Sequence, residues 1–217
     1  MAAVSPELSY AHIGAAAERD GLAIMGGLHE DGTSLLLLGP GVAFWDVFRA
    51  APEYRDGAAD PFDRWSHRVV SALADGLGAE AIFPFGGPPY APFLSWALAT
   101  GRAWSSPVGM LVHDSAGLMI SFRGALRFDG VITLPAPPEA PPCATCPDQP
   151  CLSACPVGAL NDSAIYDVTA CHDWLDTPDG QDCMARGCLA RRACPVSRTF
   201  GRHPDQSALH MKAFHKT

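Results

Sequence analysis

No apolar run in this sequence is long enough to cross a membrane as a helix; Leu35–Leu38 stops at Gly39-Pro40-Gly41. The opening MAAVSPELSY has neither a basic start nor a long apolar stretch, so no signal peptide is expected. No phosphate-cradling glycine motif occurs, since Gly76-Leu-Gly78 lacks a third glycine and the strand context. Residues 1–134 show no repeat at solenoid spacing. No cysteine precedes Cys143. These absences argue against a membrane-spanning chain, a secreted chain, a dinucleotide-binding fingerprint and a repeat scaffold. The expectation is a soluble cytoplasmic protein with no membrane partner. In that reducing compartment structural disulfides are rare, so eight cysteines call for another explanation.

Hydrophobic residues make up 48% of the 217, and the mean hydropathy is +0.08. That is ample for a folded core, in one large domain or two small ones. The net charge of −8 is unevenly spread. Residues 181–217 hold seven cations (Arg186, Arg191, Arg192, Arg198, Arg202, Lys212, Lys216) against Asp182 and Asp205, a balance of about +5 that leaves about −13 on the rest. Such a basic end is a candidate contact for nucleic acid. The plainer reading, preferred here, is a solvated face; a third is local compensation for a negatively charged metal cluster.

Composition divides the chain at residues 135–142, where five prolines precede Cys143. Such a stretch continues neither a helix nor a central strand and reads as a linker. The expected domains are 1–134, this Pro-rich linker, and 143–217. In the first, Ser34–Leu38 reads as a buried strand. Residues 62–77 read as a helix that starts after Asp60-Pro61 and ends at Gly78. Ala81–Phe85 reads as a strand and residues 91–100 as a helix. Val108–Val112 and Leu118–Phe122 read as a hairpin around His113–Gly117, followed by a strand at Ala125–Phe128. The expected class is α+β, with a mixed first domain.

The cysteines carry the chemistry. Cys143, Cys146, Cys151 and Cys155-Pro156 have the spacing C-x2-C-x4-C-x3-C-P; Cys171, Cys183, Cys188 and Cys194-Pro195 follow. Thiolates suit iron–sulfur clusters or zinc. Zinc sites usually pair two knuckles a dozen or more residues apart. Four cysteines in so short a run, closed by Cys-Pro, resemble the run of bacterial ferredoxins, whose fourth cysteine ligates the other of two clusters. By that crossover, Cys143, Cys146, Cys151 and Cys194 share one [4Fe–4S] cluster. Cys155, Cys171, Cys183 and Cys188 share the other. Zinc stays open for the second group, with His172 or His203 as substitute ligands.

Residues 143–217 also resemble the dicluster ferredoxin domain of epoxyqueuosine reductases. The likeness lies in Cys155-Pro156 with Gly158-Ala159-Leu160, in the lone cysteine of Tyr166-Asp-Val-Thr-Ala-Cys171, and in the closing Cys194-Pro195. In the first domain, Asp60-Pro61-Phe62-Asp63, the helix after it and Gly117–Gly124 resemble the cobalamin-processing family of type C methylmalonic aciduria. That resemblance implies a nitroreductase-like sheet domain, followed by a small ferredoxin-like one, and cobalamin or flavin as a further cofactor. Epoxyqueuosine reductases carry a catalytic acid in a Val-Asp-Ser-Ala-Pro segment. The corresponding place here, Phe85-Gly86-Gly87-Pro88, has no carboxylate, and the chain is much shorter than those enzymes.

An electron-transfer protein serving a redox partner protein or a small-molecule substrate follows as the main expectation. A cobalamin- or flavin-dependent reductase and a nucleic-acid- or protein-binding module with structural clusters are its competitors. Candidate cofactor contacts in the first domain are Arg123, for a cofactor side chain or thiol substrate, and His113, for a corrin. Gly86 and Gly87 would admit a flat cofactor to the backbone. Each has a plain alternative: a structural arginine, a satisfied surface histidine and an ordinary turn. Trp45, Trp65, Trp96 and Trp104 read as core.

Overall fold

The computed structural model describes residues 8–163 and 165–215. Lys216, counted above with the basic end, lies outside them. The chain forms two compact units, and neither is one continuous segment. The first takes the chain up to Arg102 together with Ser121–Pro137; the second takes Ala103–Ile120 and the chain from Pro138 onward. The division differs from a single boundary at the prolines, because residues 103–120 belong with the cysteines.

In the first unit, helix α1 (Tyr10–Arg19) starts at Ser9, whose Oγ accepts the His12 N–H. Strands β1 (Leu22–Glu30) and β2 (Thr33–Pro40) form an antiparallel hairpin. Its turn places Asp31 and Gly32 at positive φ. Beyond β2 lie the last strand, β6 (Gly124–Asp129), and then β3 (Glu80–Ile82), giving the order β1-β2-β6-β3. Every pairing is antiparallel. Leu35, Leu36, Leu37 and Leu38 are all fully buried, so both faces of β2 are covered. The unbroken apolar run anticipates this, since a strand open to water on one face would alternate.

Helices α2 (Phe44–Ala50), α3 (Pro52–Arg55), α4 (Pro61–Leu77) and α5 (Phe93–Ala99) complete the unit. Helix α4 starts at Pro61 and ends at Gly78, whose φ of 66° places it in the left-handed region that glycine tolerates. It buries Phe62, Trp65, Val69, Val70, Leu73 and Ala74 along one face. Each large apolar side chain contributes about 1.5–3 kcal/mol on burial. Phe44, Phe48, Phe62 and Trp65 pack ring against ring. Trp45, Trp65 and Trp96 are all buried.

The second unit begins with the pair β4 (Ala103–Ser105) and β5 (Leu111–His113). After the prolines come a 3₁₀ turn (Pro142–Thr145) and five helices. These are α6 (Val168–Leu175), α7 (Gln181–Arg186), α8 (Leu189–Ala193), α9 (Pro195–Phe200) and α10 (Pro204–Phe214). Helices with an antiparallel sheet make the fold class α+β.

Two expected elements differ. The hairpin between Val108–Val112 and Leu118–Phe122 does not form: β5 pairs with β4, and His113 and Gly117 make a single bridge. The cause is local. The His113 side chain draws the N–H groups of Ser115 and Ala116 onto its Nδ1, and the Leu118 N–H goes to the Ser197 hydroxyl at 2.9 Å rather than to a strand. Likewise β3 stops at Ile82, opposite Ala125, instead of reaching Phe85.

Candidate functional site

All eight cysteines lie in the second unit, and all have free thiols. The first run is a loop with little regular structure. Cys143 sits in the 3₁₀ turn, Cys146 caps that turn, and Asp148 and Gln149 then adopt positive φ. This coils the chain tightly enough to return Cys151 to the side of Cys143. The later cysteines are placed by short helices. Cys171 is on α6, Cys183 on α7, Cys188 at the N-cap of α8 and Cys194 at its C-cap.

The thiols gather around two cavities. Cys143, Cys146, Cys151 and Cys194 line a small one of about 20 Å³, with Ser106, Pro107, Val112, Leu118 and Gln149. Cys155, Cys171, Cys183 and Cys188 line a larger one of about 220 Å³. Its walls include Met110, Leu160, Tyr166, Trp174, Arg191 and Arg202. The division crosses the chain order: Cys155 leaves its own run and lines the second cavity, while Cys194 joins the first. Helix α8 carries out half of this exchange. Its two ends carry cysteines of different groups six residues apart, about 9 Å along a helix axis.

The electrostatics report the same neighbours. Burial pushes the Cys143 thiol up, and the adjacent Cys151, Cys194 and Cys146 push it further. Cys151 is raised by burial and then by Cys194 and Cys146, against an opposing backbone hydrogen bond. In the other group, burial raises Cys171, the Tyr166 hydroxyl opposes that through a hydrogen bond, and Cys188, Cys155 and Cys183 add to the rise. Cys183 is raised by burial, and again by Cys188. In each group, then, two thiols are held back from ionising by burial first and by their cysteine neighbours second. Val108, Val112, Leu118, Leu160 and Ala190 pack against Cys151 and Cys194 and keep the surroundings apolar.

Among the described residues, no three His, Cys, Asp or Glu side chains converge on a point suited to a single metal ion. The alternative ligands His172 and His203 have other surroundings. His172 packs against the rings of Phe214 and His215. His203 caps α10, its Nδ1 taking the Asp205 N–H.

The remaining candidates scatter. His113 belongs to the second unit, not to the sheet unit, and is fully buried. Its Nδ1 is committed to its own turn, a structural role rather than a surface one. Gly86 (φ 85°) and Gly87 lie in an irregular segment of the first unit. A Cβ would meet nothing at Gly86, whereas at Gly87 it would strike the Pro89 backbone. Arg123 is 9% exposed in the first unit; its Nη1 lies 3.7 Å from Asp63 and its guanidinium stands over the Phe62 ring. Its Nε and Nη1 make no hydrogen bond. Burial lowers the affinity of Arg123 for its proton, with Asp63 opposing, and burial raises the Asp63 carboxyl despite Arg123.

In the basic end, Arg186 and Arg192 are both paired with Asp182. They line an open cavity with Arg198 and Arg202. Sequence reasoning passed over Ser106, Trp174 and Ser207, which line the two thiol cavities. Only Trp174 left a signal, three residues after Cys171 and so on the same helix face.

No family model, curated protein or solved structure matches the chain.

Proposed function

We propose that this chain is an iron–sulfur electron-transfer protein carrying two [4Fe–4S] clusters. Cys143, Cys146, Cys151 and Cys194 hold one, and Cys155, Cys171, Cys183 and Cys188 hold the other. One observation carries the reading: eight thiols divide four and four between two separate cavities, across the order in which they occur in the chain. In a four-iron cube each thiolate binds a different iron, so the donors surround a cavity instead of converging on a point. The proposal includes the ferredoxin-like character of residues 143–217 and its likeness to the dicluster part of epoxyqueuosine reductases. Bound clusters supply one-electron chemistry at potentials set by hydrogen bonding and burial. The chain's own residues then have defined tasks. Val112, Leu118 and Leu160 exclude water, Pro156 and Pro195 turn the chain away after a ligand, and α8 holds the two groups at a fixed spacing.

The test is anaerobic purification of the full chain followed by metal and sulfide analysis. Two four-iron cubes give about eight irons and eight acid-labile sulfides per chain. Zinc without acid-labile sulfide overturns the proposal.

A second reading concerns the first unit, proposed as a nitroreductase-like domain that takes cobalamin or flavin. Arg123 favours it, because a guanidinium so buried with two nitrogens unbonded is costly unless something else pairs with it. Cobalamin or flavin added to the chain should co-elute on gel filtration with an altered visible spectrum. Free elution with an unchanged spectrum removes this second reading and leaves the first intact.

A further inference from the structure

Each thiol cavity contains a serine hydroxyl that is buried and has no hydrogen-bond partner. Ser106, 6% exposed, lines the cavity of Cys143, Cys146, Cys151 and Cys194. Ser207, 3% exposed, lines the other. Their backbones are satisfied: the Ser106 N–H donates to the Met110 carbonyl, and the Ser207 N–H donates to His203 within α10. A buried hydroxyl left unpaired is costly, so serine at these two places calls for an acceptor. The abundant acceptors around both cavities are sulfurs.

The two surroundings are unequal. The first cavity offers Ser106 beside the half-buried Gln149. The second offers Ser207 and the indole N–H of Trp174, which is also buried without a partner. It adds the Tyr166 hydroxyl, hydrogen-bonded to the Cys171 thiol, and the guanidinium groups of Arg191 and Arg202 in its wall. The backbone makes room for one of these donors. Gly187, beside Cys188, has a φ of 90°, and a Cβ there would lie 2.8 Å from the Ser207 Cβ. The absence of a side chain at 187 lets α10 bring Ser207 against the Cys183–Cys188 turn.

Resting on the two-cluster reading, we infer that Ser106 and Ser207 are positioning residues that donate hydrogen bonds to sulfur, one at each cluster, and that the richer donor set makes the Cys155, Cys171, Cys183 and Cys188 cluster the more easily reduced of the two. Reduction adds one negative charge to a cluster. Donors aimed at sulfur and nearby guanidinium groups stabilise that charge, which raises the potential.

The experiment is a potentiometric titration of the anaerobically prepared full chain, with dithionite as reductant and electron paramagnetic resonance as readout. Wild type should show two midpoints. Ser207→Ala should move the higher one to more negative potential and leave the lower in place; Ser106→Ala should move only the lower. Trp174→Phe, independent of α10, should act in the same direction as Ser207→Ala, and it decides the matter should Ser207→Ala lose iron. A single shared midpoint overturns the inference. So do unchanged midpoints in iron-replete Ser207→Ala or Trp174→Phe, and so does Ser207→Ala shifting the lower midpoint. Absence of acid-labile sulfide in wild type overturns the two-cluster reading itself, a result distinct from all of these.

Discussion

Replacing Cys155 by Ala separates the crossed arrangement from a sequential one. In sequence Cys155 closes the first run, so a sequential arrangement makes it a partner of Cys143, Cys146 and Cys151. In space it lines the cavity of Cys171, Cys183 and Cys188. On the two-cluster proposal, each group supplies four thiolates to four irons. Loss of one ligand from a group should remove or degrade that cluster alone, and iron should fall from about eight to about four per chain. Cys194→Ala should cause the same numerical loss from the other cluster. The assay is metal and sulfide analysis with electron paramagnetic resonance of the reduced protein. Cys155→Ala and Cys183→Ala should abolish the same signal; Cys194→Ala and Cys143→Ala should abolish the other. The reasoning fails if Cys155→Ala and Cys143→Ala extinguish one common signal while Cys194→Ala extinguishes its companion.

Three further outcomes follow from the packing. Gly187→Ala strains a left-handed backbone and drives a methyl into Ser207, which should cost about 1–3 kcal/mol and lower iron occupancy at the Cys183–Cys188 end; normal iron content and thermal stability would contradict it. Leu37→Ala empties a fully buried position of β2 and should cost about 2–5 kcal/mol in denaturant unfolding of the first unit, with iron content unchanged. Glu53 on α3 is held below its ordinary pKa, first by its hydrogen bonds from Arg68. A lowered carboxyl contributes stability above its unfolded pKa and loses it as pH falls through the folded value. Glu53→Gln should therefore cost on the order of 1 kcal/mol near pH 7, since half-exposed Arg68 is screened by solvent, and the gap should close below about pH 4. A gap that persists at low pH would show that the charge is not its source.

What could be read from the sequence, and what could not, follows the physics of each element. Strand β2 was legible from its unbroken apolar run, although it continues through Gly39-Pro40 instead of stopping there, and helices α4 and α5 were legible because their apolar residues met stop signals at Gly78 and Gly101. Strand β1 was not. Gly26 and Gly27 break its pattern, Gly26 has a φ of 138°, and the ladder shifts register between Ile24 and Gly26. Those glycines answer to tertiary packing: a Cβ at Gly26 would strike Thr100, and one at Gly27 would strike Leu36 and Leu134. The region 108–120 misled because Val112 and Leu118 line one thiol cavity, and Met110 and Met119 the other, instead of alternating across a sheet. The helices of the second unit run for only five to eleven residues, too short for periodicity to speak. The grouping of the thiols around two cavities was legible only by adding the ferredoxin crossover to the cysteine spacing, since the second group is too loosely spaced to define itself. The serines beside them were not, because a lone hydroxyl donor has no pattern.

The interleaving of the two units has a consequence for how the chain is born. Synthesis runs from the N-terminus, and Pro137, the last residue of the first unit, precedes Cys143. The sheet unit therefore has all its residues before the first cysteine is added. Residues 103–120 have no such completion. Their β4–β5 pair can form locally, but Val108, Val112 and Leu118 are covered only once Leu160, Cys194 and Ser197 have been added. In that interval this stretch is the segment most in need of protection, and a fragment starting at Pro138 would never contain the wall that its cysteines are built to meet.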